Sequence, residues 1–348
     1  MVSRLRPPPP LFRALLNRLD QPLRFERVFV EKVWGGRALE ICPGIELPEG
    51  PPIGETWELV DRAKENSVVA EGPFEGARFE EVMARAGDQL LGRARPNVRG
   101  RFPLLVKYLD ASQALSVQVH PDDASAARIG GDAEGKTEAW YFLEVKPGGA
   151  VYSGLREGVG REDLRGAVGK PDLVPCLGHF EVQAGQSLTV EGGTVHAIGA
   201  GVTLLEVQQN SNTTYRMYDW DRLGLDGQPR ESHQELALAA TDFRRGSVRP
   251  TAPTEVRESD GLREAELSRT DHFSMTRLEC RKGVHRDTSG QFLVYAAIAG
   301  SGTLEAPNGR SGWRMNQGDV WLLPASLGEH RIEPDEQGCT VLALDANA

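Results

Sequence analysis

The amino-acid sequence predicts a mainly β protein, built from antiparallel strands with a few short helices. Short apolar runs bounded by turn residues recur along the chain, which is the pattern of many short strands. Glycine (39 residues) and proline (22 residues) are abundant, so turns should be many and helices few. The unit from Gly185 to His196 is similar to the unit from Gly318 to Pro324. This similarity favours a duplicated β-barrel with divergent halves.

Several runs have the length and apolar content of strands. Their spacing, and the turn residues between them, favour an antiparallel sandwich or barrel. In chain order the predicted strands are 102–109, 115–120, 139–145, 186–190, 202–208, 215–220, 292–299, 320–323 and 340–344.

Three segments are predicted to be helical. Residues 79–91 place their apolar side chains close to the 3.6-residue period of a helix. Residues 161–168 and 233–243 are two shorter helical segments. Ser232 precedes the last of them and is a residue type that caps helix N-termini.

The length of 348 residues suggests about two domains. We predict an N-terminal extension over 1–21, a first domain with helical insertions over 22–243, a linker over 244–264 and a second strand-rich domain over 265–348. The linker is polar and shows no period. The extension is rich in arginine and holds four successive prolines, which favours a disordered or loosely docked segment. An organellar transit peptide is the alternative.

Composition narrows the possible partners and the compartment. The net charge is −10, from 40 basic and 50 acidic residues, which argues against general binding to nucleic acid. No run of about 18 apolar residues occurs, so we expect no membrane span. The four cysteines are scattered without a CxxC pair, so reduced thiols and a cytoplasmic location are expected. A monomer or a weak homodimer is the expected assembly.

The most informative segment is residues 115–123. In a strand, residues two apart share a face, so Ser116, Gln118 and His120 should point the same way. A half-buried surface strand would show the same alternation. However, Glu138 and His196 follow in two other segments bounded by turn residues. Two histidines, one glutamate and one glutamine form a plausible set of nitrogen and oxygen ligands for a metal ion.

The second half of this set follows a known β-barrel pattern. Gly185 is followed by five residues, Glu191, one residue, Gly193, two residues and His196. This resembles the second motif of the cupin superfamily, with Glu191 where proline is usual and without the trailing asparagine. The first cupin motif is present in modified form, since Gln118 replaces its first histidine. The fold expected from this resemblance is two cupin-like antiparallel β-barrels of the jelly-roll type.

The segments around these residues are more specific. Together they resemble the type I phosphomannose isomerases in their short bacterial form, over about residues 22 to 345. The matching segments are 33–36, 54–59, 118–123, 135–141, 196–201 and 206–222. The departures are the N-terminal extension and residues 60–62, which are not typical of the family.

The resemblance implies a zinc enzyme, with one Zn²⁺ per chain, that interconverts mannose 6-phosphate and fructose 6-phosphate through a cis-enediol. A sugar phosphate would therefore be its small-molecule partner. By motif, the implied metal ligands are Gln118, His120, Glu138 and His196. Arg216 matches the catalytic arginine of the family, and Lys136 lies at a family substrate-site position.

Several roles stay open at the level of sequence. Arg216 can stabilise an enediolate but is a poor base, because it is always protonated. The base is Glu206, Lys136 or a zinc-bound hydroxide. The candidate phosphate contacts are Lys136, Ser116 and Lys107.

Two other functions remain as alternatives. An Fe²⁺-dependent cupin dioxygenase would need open metal positions and often uses three histidines. A non-catalytic sugar-binding cupin would need neither Arg216 nor Lys136. In the C-terminal domain no segment like 118–121 occurs, His285 has no partner histidine two residues away, and His330 falls one residue beyond the position that matches His196. That domain is therefore predicted to be structural, without a tight metal site.

Overall fold

The computed structural model of the protein describes residues 19–306 and 312–347. These residues form 21 β-strands and four α-helices. The helices are α1 (Phe79–Leu91), α2 (Asp123–Ile129), α3 (Arg161–Ala167) and α4 (Gln234–Ala240). Within these described ranges, no helix is both long and apolar enough to cross a membrane.

The strands carry most of the chain. In order they are β1 (Leu23–Phe25), β2 (Val28–Gly36), β3 (Ile53–Leu59), β4 (Val69–Glu71), β5 (Leu104–Ala111), β6 (Val117–Val119), β7 (Glu138–Val145), β8 (Ala150–Leu155), β9 (Leu177–Glu181), β10 (Ser187–Val190), β11 (His196–Ile198), β12 (Val202–Gln209), β13 (Tyr215–Tyr218), β14 (Thr254–Ser259), β15 (Leu262–Arg269), β16 (Phe273–Cys280), β17 (Val284–Asp287), β18 (Leu293–Glu305), β19 (Trp313–Asn316), β20 (Val320–Leu323) and β21 (Glu329–Ala346).

Three sheets organise these strands, and within each sheet the neighbouring strands pair in an antiparallel way. A six-stranded sheet has the order β10-β7-β12-β5-β3-β2, and a five-stranded sheet has the order β13-β6-β11-β8-β9. A ten-stranded sheet has the order β14-β15-β16-β21-β18-β20-β1-β4, with β17 added on β21 and β19 on β18. The mainly β prediction is confirmed. The prediction of two closed barrels is not confirmed, because none of these strand orders closes on itself.

The first described strand, β1, packs on the C-terminal part of the chain. β1 pairs with β20 on one side and with β4 on the other, which places two N-terminal strands in the ten-stranded sheet. A chain of tilted aromatic contacts runs through the shared core: Phe79 lies 5.0 Å from Phe102, which lies 4.5 Å from Phe292, between ring centroids. The predicted linker 244–264 contains β14. The domain division stays a prediction.

The sequence located most central elements to within a few residues. Helix α1 and strand β20 have the predicted bounds, whereas β21 extends well beyond the predicted 340–344. The prediction that Ser232 caps the last helix was wrong, because α4 begins after His233 and has no side-chain cap. Helix α2 was not predicted. Asp122 caps it by accepting a hydrogen bond from the backbone N–H of Ser125, a signal that is visible in the sequence.

The shared aromatic core gives a testable prediction. Replacing Phe292 by alanine should lower the free energy of unfolding by about 3–5 kcal/mol, since it removes a fully buried ring and leaves a cavity. Urea unfolding followed by circular dichroism measures the effect. The matched control is Val98→Ala, because Val98 is 92% exposed, and its unfolding midpoint should not move. An unchanged midpoint for Phe292→Ala would contradict the role of this ring.

Candidate metal centre and active site

The predicted site residues meet in one cavity of about 320 Å³. Its lining comes from the six-stranded and the five-stranded sheets and from loops between their strands. The predicted residues that line it are Lys107, Ser116, Gln118, Lys136, Glu138, His196, Glu206 and Arg216. His120 lies directly behind this lining, where its Nε2 atom is 3.4 Å from Glu138 Oε2.

The centre of the site is a buried cluster of three potential ligands. One nitrogen each of His120 and His196 and a carboxylate oxygen of Glu138 lie within 4.8 Å of one another. The His196 Nε2 atom is 3.3 Å from Glu138 Oε1, and each of the three side chains is 1% exposed. In the described parts of the chain, this is the one group of histidine, cysteine and acidic residues with such geometry.

Backbone carbonyls fix the protonation pattern of both imidazoles. Nδ1 of His120 lies 2.8 Å from the carbonyl oxygen of Thr213, and Nδ1 of His196 lies 2.8 Å from that of Thr194. A carbonyl oxygen only accepts, so each Nδ1 carries the proton. Each Nε2 atom of the neutral ring therefore presents a lone pair to the cluster, which is the usual arrangement of metal-binding histidines.

Strand register places Gln118 beside this cluster. Gln118 lies opposite His196 on one neighbouring strand and opposite Arg216 on the other. Directly opposed residues share a face of the sheet, so the three side chains form a row. The Gln118 amide nitrogen lies 3.4 Å from His196 Nε2, and its amide oxygen accepts a hydrogen bond from Ser116. Gln118 would bind a metal through that oxygen only after its amide rotates.

A series of alternating charges, here called the charge row, crosses the cavity floor. Its members are Lys32, Glu55, Lys107, Glu206, Lys136 and Glu138. The successive nitrogen–oxygen distances are 3.2, 3.7, 2.9, 3.9 and 2.6 Å. Apart from Lys32, these residues are buried. Ions are tolerated in such a place only when each has an opposite partner, and here every internal member has two.

The charge row gives its carboxyl groups different pKa values. Burial alone would raise the pKa of Glu55, but Lys107 and Lys32 lower it to about 2. Burial also opposes ionisation of Glu138, yet Lys136 and the two histidines hold its pKa well below its ordinary value. For Glu206, burial and the charge of Glu138 outweigh the lysines and raise the pKa. The ionised form of Glu138 is therefore favoured, and Glu206 is the carboxyl group of the charge row whose pKa is raised.

Both histidines are held in the neutral form. Burial, with the nearby charge of Lys136, lowers the pKa of His120 to about 3. Burial lowers the pKa of His196 as well. The neutral form is the one that can donate a lone pair to a metal ion.

The two predicted phosphate-binding lysines are already paired. The Lys136 ammonium lies 2.6 Å from Glu138 Oε2 and 3.0 Å from His120 Nε2. Lys107 lies 2.9 Å from Glu206. Either lysine would have to leave a buried carboxylate to bind a phosphate dianion.

Arg216 lines the cavity, but the prediction that Tyr218 and Trp220 share its face was wrong. In the predicted strand 215–220, the alternation of side chains would place Arg216, Tyr218 and Trp220 on one face. Instead, the register between β13 and β6 shifts after Arg216, so that Tyr218 lies opposite Val117. Trp220 lies beyond the strand with φ of 57°. A β-bulge turns the later side chains away, and only Arg216 of the three lines the cavity.

Sequence reasoning missed other lining residues, including Lys32, Glu55, Asn212 and Arg230. Glu55 and Asn212 lie in segments that carried the family resemblance, so a signal for them existed. Arg230 lies in a loop without any periodic pattern, and nothing local marked it.

Comparisons with known proteins agree with this geometry. Residues 23–140 match the family model of the type I phosphomannose isomerase catalytic domain. The chain is 33% identical to the mannose-6-phosphate isomerase ManA of Bacillus subtilis over 90% of this chain and 96% of that protein. It is 32% identical to the mannose-6-phosphate isomerase of Streptococcus mutans, over 91% and 96% of the two chains.

Solved structures give the same result. The crystal structure of the mannose 6-phosphate isomerase from Bacillus subtilis superposes with a TM-score of 0.83 at 30% identity, covering 93% of this chain and 99% of that one. A putative mannosephosphate isomerase from Archaeoglobus fulgidus shares the fold, with a TM-score of 0.73 at 23% identity and coverage of 95% and 99%. The chain belongs to the type I phosphomannose isomerase family, as its sequence motifs had indicated.

The ligand cluster predicts how metal content responds to mutation. His196→Ala should reduce tightly bound metal well below one equivalent per chain, because it removes one of three buried donors. His330→Ala is the matched control. His330 Nδ1 also lies near a carbonyl two residues earlier, but its Nε2 lies 2.8 Å from the Tyr295 hydroxyl. Elemental analysis after dialysis decides, and loss of metal only in His330→Ala would reverse the assignment.

The position of Lys136 gives a second prediction. Its ammonium contacts the same lone pairs of His120 and Glu138 that a metal ion would use. Lys136→Met should therefore tighten metal binding, on the order of tenfold or more, because a competing cation is removed. Competition with a chromogenic chelator measures this. The control is Lys170→Met, an exposed lysine that donates to the Gly166 carbonyl. Weaker metal binding in Lys136→Met would contradict the competition.

Proposed function

We propose that this protein interconverts mannose 6-phosphate and fructose 6-phosphate. The observation that carries the proposal is the buried cluster of His120, Glu138 and His196, which shares its cavity with Arg216. The relatives named above, which cover nearly the whole chain, support the choice of substrate. The reaction is an aldose–ketose isomerisation, in which a proton moves between C1 and C2 of the open-chain sugar through a cis-enediol.

The donor set fits one zinc ion per chain. Two imidazole Nε2 atoms and a carboxylate are ligands that zinc prefers, and the backbone carbonyls of Thr213 and Thr194 hold both rings in the required tautomer. His120, Glu138 and His196 would hold the ion, with Gln118 as the fourth ligand if its amide rotates. When bound, zinc supplies Lewis acidity to a substrate carbonyl oxygen.

Two side chains are placed to move the proton. Glu206 lies beside the cluster, and Trp140 Nε1 donates a 3.0 Å hydrogen bond to its Oε2 atom. Because burial and the charge of Glu138 raise its pKa, Glu206 accepts a proton more readily than an ordinary carboxylate and can return it. Lys136 lies 3.9 Å from the other Glu206 oxygen and can relay the same proton. Both residues remain assigned to this role.

Arg216 is proposed to stabilise the negative charge that develops on the enediolate oxygen. Arg216 lies opposite Gln118 on the same face of the five-stranded sheet. Its guanidinium forms no salt bridge with a carboxylate among the described residues. Its Nη1 atom donates to the carbonyl oxygen of Glu231, at 2.8 Å. A fixed cation that is not held in an ion pair is available to a substrate anion.

The C-terminal part is proposed to be structural, in line with a division into a catalytic domain over 22–243 and a cupin-like domain over 265–348. His330 is placed like His196, yet the Tyr295 hydroxyl occupies its Nε2 atom. No other ligand joins it within the described chain.

The direct test is a coupled assay. Purified protein is supplied with mannose 6-phosphate, and fructose 6-phosphate is detected through phosphoglucose isomerase and glucose-6-phosphate dehydrogenase. We expect turnover that stops on chelation and returns with zinc. Absence of product with a zinc-loaded, folded sample would refute the proposal.

The role of Arg216 gives a kinetic prediction. Arg216→Ala should lower kcat on the order of a hundredfold, since loss of one preorganised charge costs about 3 kcal/mol of barrier. KM should change much less. Arg314→Ala is the control, because Arg314 pairs with Asp335 on the surface. A normal kcat in Arg216→Ala would assign this arginine a structural role only.

A further inference from the structure

We propose that Arg230, oriented by Asp219, binds the phosphate group of the substrate. This rests on the proposed function and adds to it a residue that none of the motifs contains. Arg230 lines the cavity together with Arg216. It comes from the loop between β13 and α4, which returns along the edge of the five-stranded sheet.

Asp219 fixes the direction of the Arg230 guanidinium. Nε and Nη2 of Arg230 both donate to the Asp219 carboxylate at 2.6 Å. This two-point contact holds the planar fork in one orientation. It uses one edge of the guanidinium only, and Nη1 of Arg230 has no hydrogen-bond acceptor within the described residues. That nitrogen is free to donate to a ligand in the cavity.

Arg216, which lines the same cavity, has a hydrogen-bond donor without an acceptor. Its Nε atom is buried and has no acceptor in the described structure. Arg216 and Arg230 line the same cavity, and burial together with the charge of Arg230 lowers the pKa of Arg216 against the opposing effect of Asp219. Buried donors without acceptors are rare in proteins. An oxyanion between the two guanidinium groups would satisfy the donors.

The lysines of the charge row cannot serve as well. Lys107 lies between Glu206 and Glu55, and Lys136 lies between Glu138 and Glu206. A dianion placed there would meet three buried carboxylates. At the other end of the cavity, Asp219 is the acid that holds Arg230, and it also binds Arg222. Two guanidinium groups, those of Arg216 and Arg230, therefore line this end of the cavity, whereas the carboxylates of Asp219 and Glu231 do not line it.

The order of these side chains across the five-stranded sheet also fits the length of a sugar phosphate. His196, Gln118 and Arg216 lie on three adjacent strands, and strands are spaced about 4.8 Å apart. Arg216 is thus about two strand spacings from His196 in the backbone. Arg230 is hydrogen-bonded to Asp219, the residue that follows β13, and β13 is an edge strand of this sheet. A substrate with its reacting carbons at the metal cluster would point its phosphate toward Arg230.

The experiment compares two arginines that share one carboxylate. The substitutions Arg230→Ala and Arg222→Ala each remove one of the two arginines that pair with Asp219. Arg230 lines the cavity, whereas Arg222 does not. Arg222 instead donates to the carbonyl oxygen of Ala114 at 2.6 Å. Arg230→Lys is the second test variant, since it keeps the charge and loses the two-point contact. Melting temperatures confirm that each variant folds.

The expected result concerns binding. Arg230→Ala should raise KM for mannose 6-phosphate and the inhibition constant for inorganic phosphate by about 10- to 100-fold, the loss expected for a charge-assisted hydrogen bond. Its kcat should fall much less. Arg230→Lys should recover part of the loss. In Arg222→Ala both constants should stay within about threefold of the wild type.

Two outcomes would overturn the proposal. The first is unchanged binding of phosphate and substrate in Arg230→Ala. The second is an equal loss in Arg222→Ala, which would attribute the effect to the loop as a whole. Calorimetric titration of the zinc-free and zinc-loaded protein with fructose 6-phosphate separates this proposal from the proposed function. If the wild type binds this ligand through Arg230 without turnover, only the isomerase assignment fails.

Discussion

The buried charge row is the constraint on which the rest of the site depends. Five of its six members are buried, and burial of an ion is costly unless an opposite charge lies next to it. Because Lys107, Glu206 and Lys136 each contact neighbours of opposite sign, the row is stable only as a whole. Its last carboxylate, Glu138, is thereby kept ionised beside two neutral histidines. The six-stranded sheet places most of these residues, and for this reason a change in register on any central strand would leave a buried charge without a partner.

A second constraint is the meeting of two sheets at the cluster. Glu138 begins β7 of the six-stranded sheet, whereas His196 begins β11 of the five-stranded sheet. His120 follows β6, and the Thr213 carbonyl that orients it precedes β13. Each ligand is therefore near the end of a strand, where the chain leaves one sheet for a turn. The turn residues bring nitrogen and oxygen donors from two layers together, and the strands behind them keep these donors from relaxing apart.

The C-terminal half shows the same local geometry with a different outcome. His330, like His196, directs Nδ1 at a carbonyl two residues earlier. However, its Nε2 atom contacts the buried phenol of Tyr295, where the first half has a carboxylate. The lone pair is satisfied within the protein, and burial lowers the pKa of His330. The similarity of the two units in the sequence thus reflects a repeated turn into a strand, and the difference in one neighbouring side chain separates a candidate metal ligand from a core histidine.

The sequence by itself determined the type of fold, the central strands and the identity of the cluster, because apolar period and motif spacing are local properties. Residues such as His120, Glu138 and His196 were found in this way, and α1 and β20 have the predicted bounds. The tertiary structure alone decided the pairing of Lys107 and Lys136 with carboxylates, the bulge after Arg216 and the position of Arg230. These features depend on which strand lies next to which, and on how the loop of 15 residues between β13 and α4 returns to the sheet. Contacts between residues far apart in the chain leave no local pattern, so only the folded protein shows them.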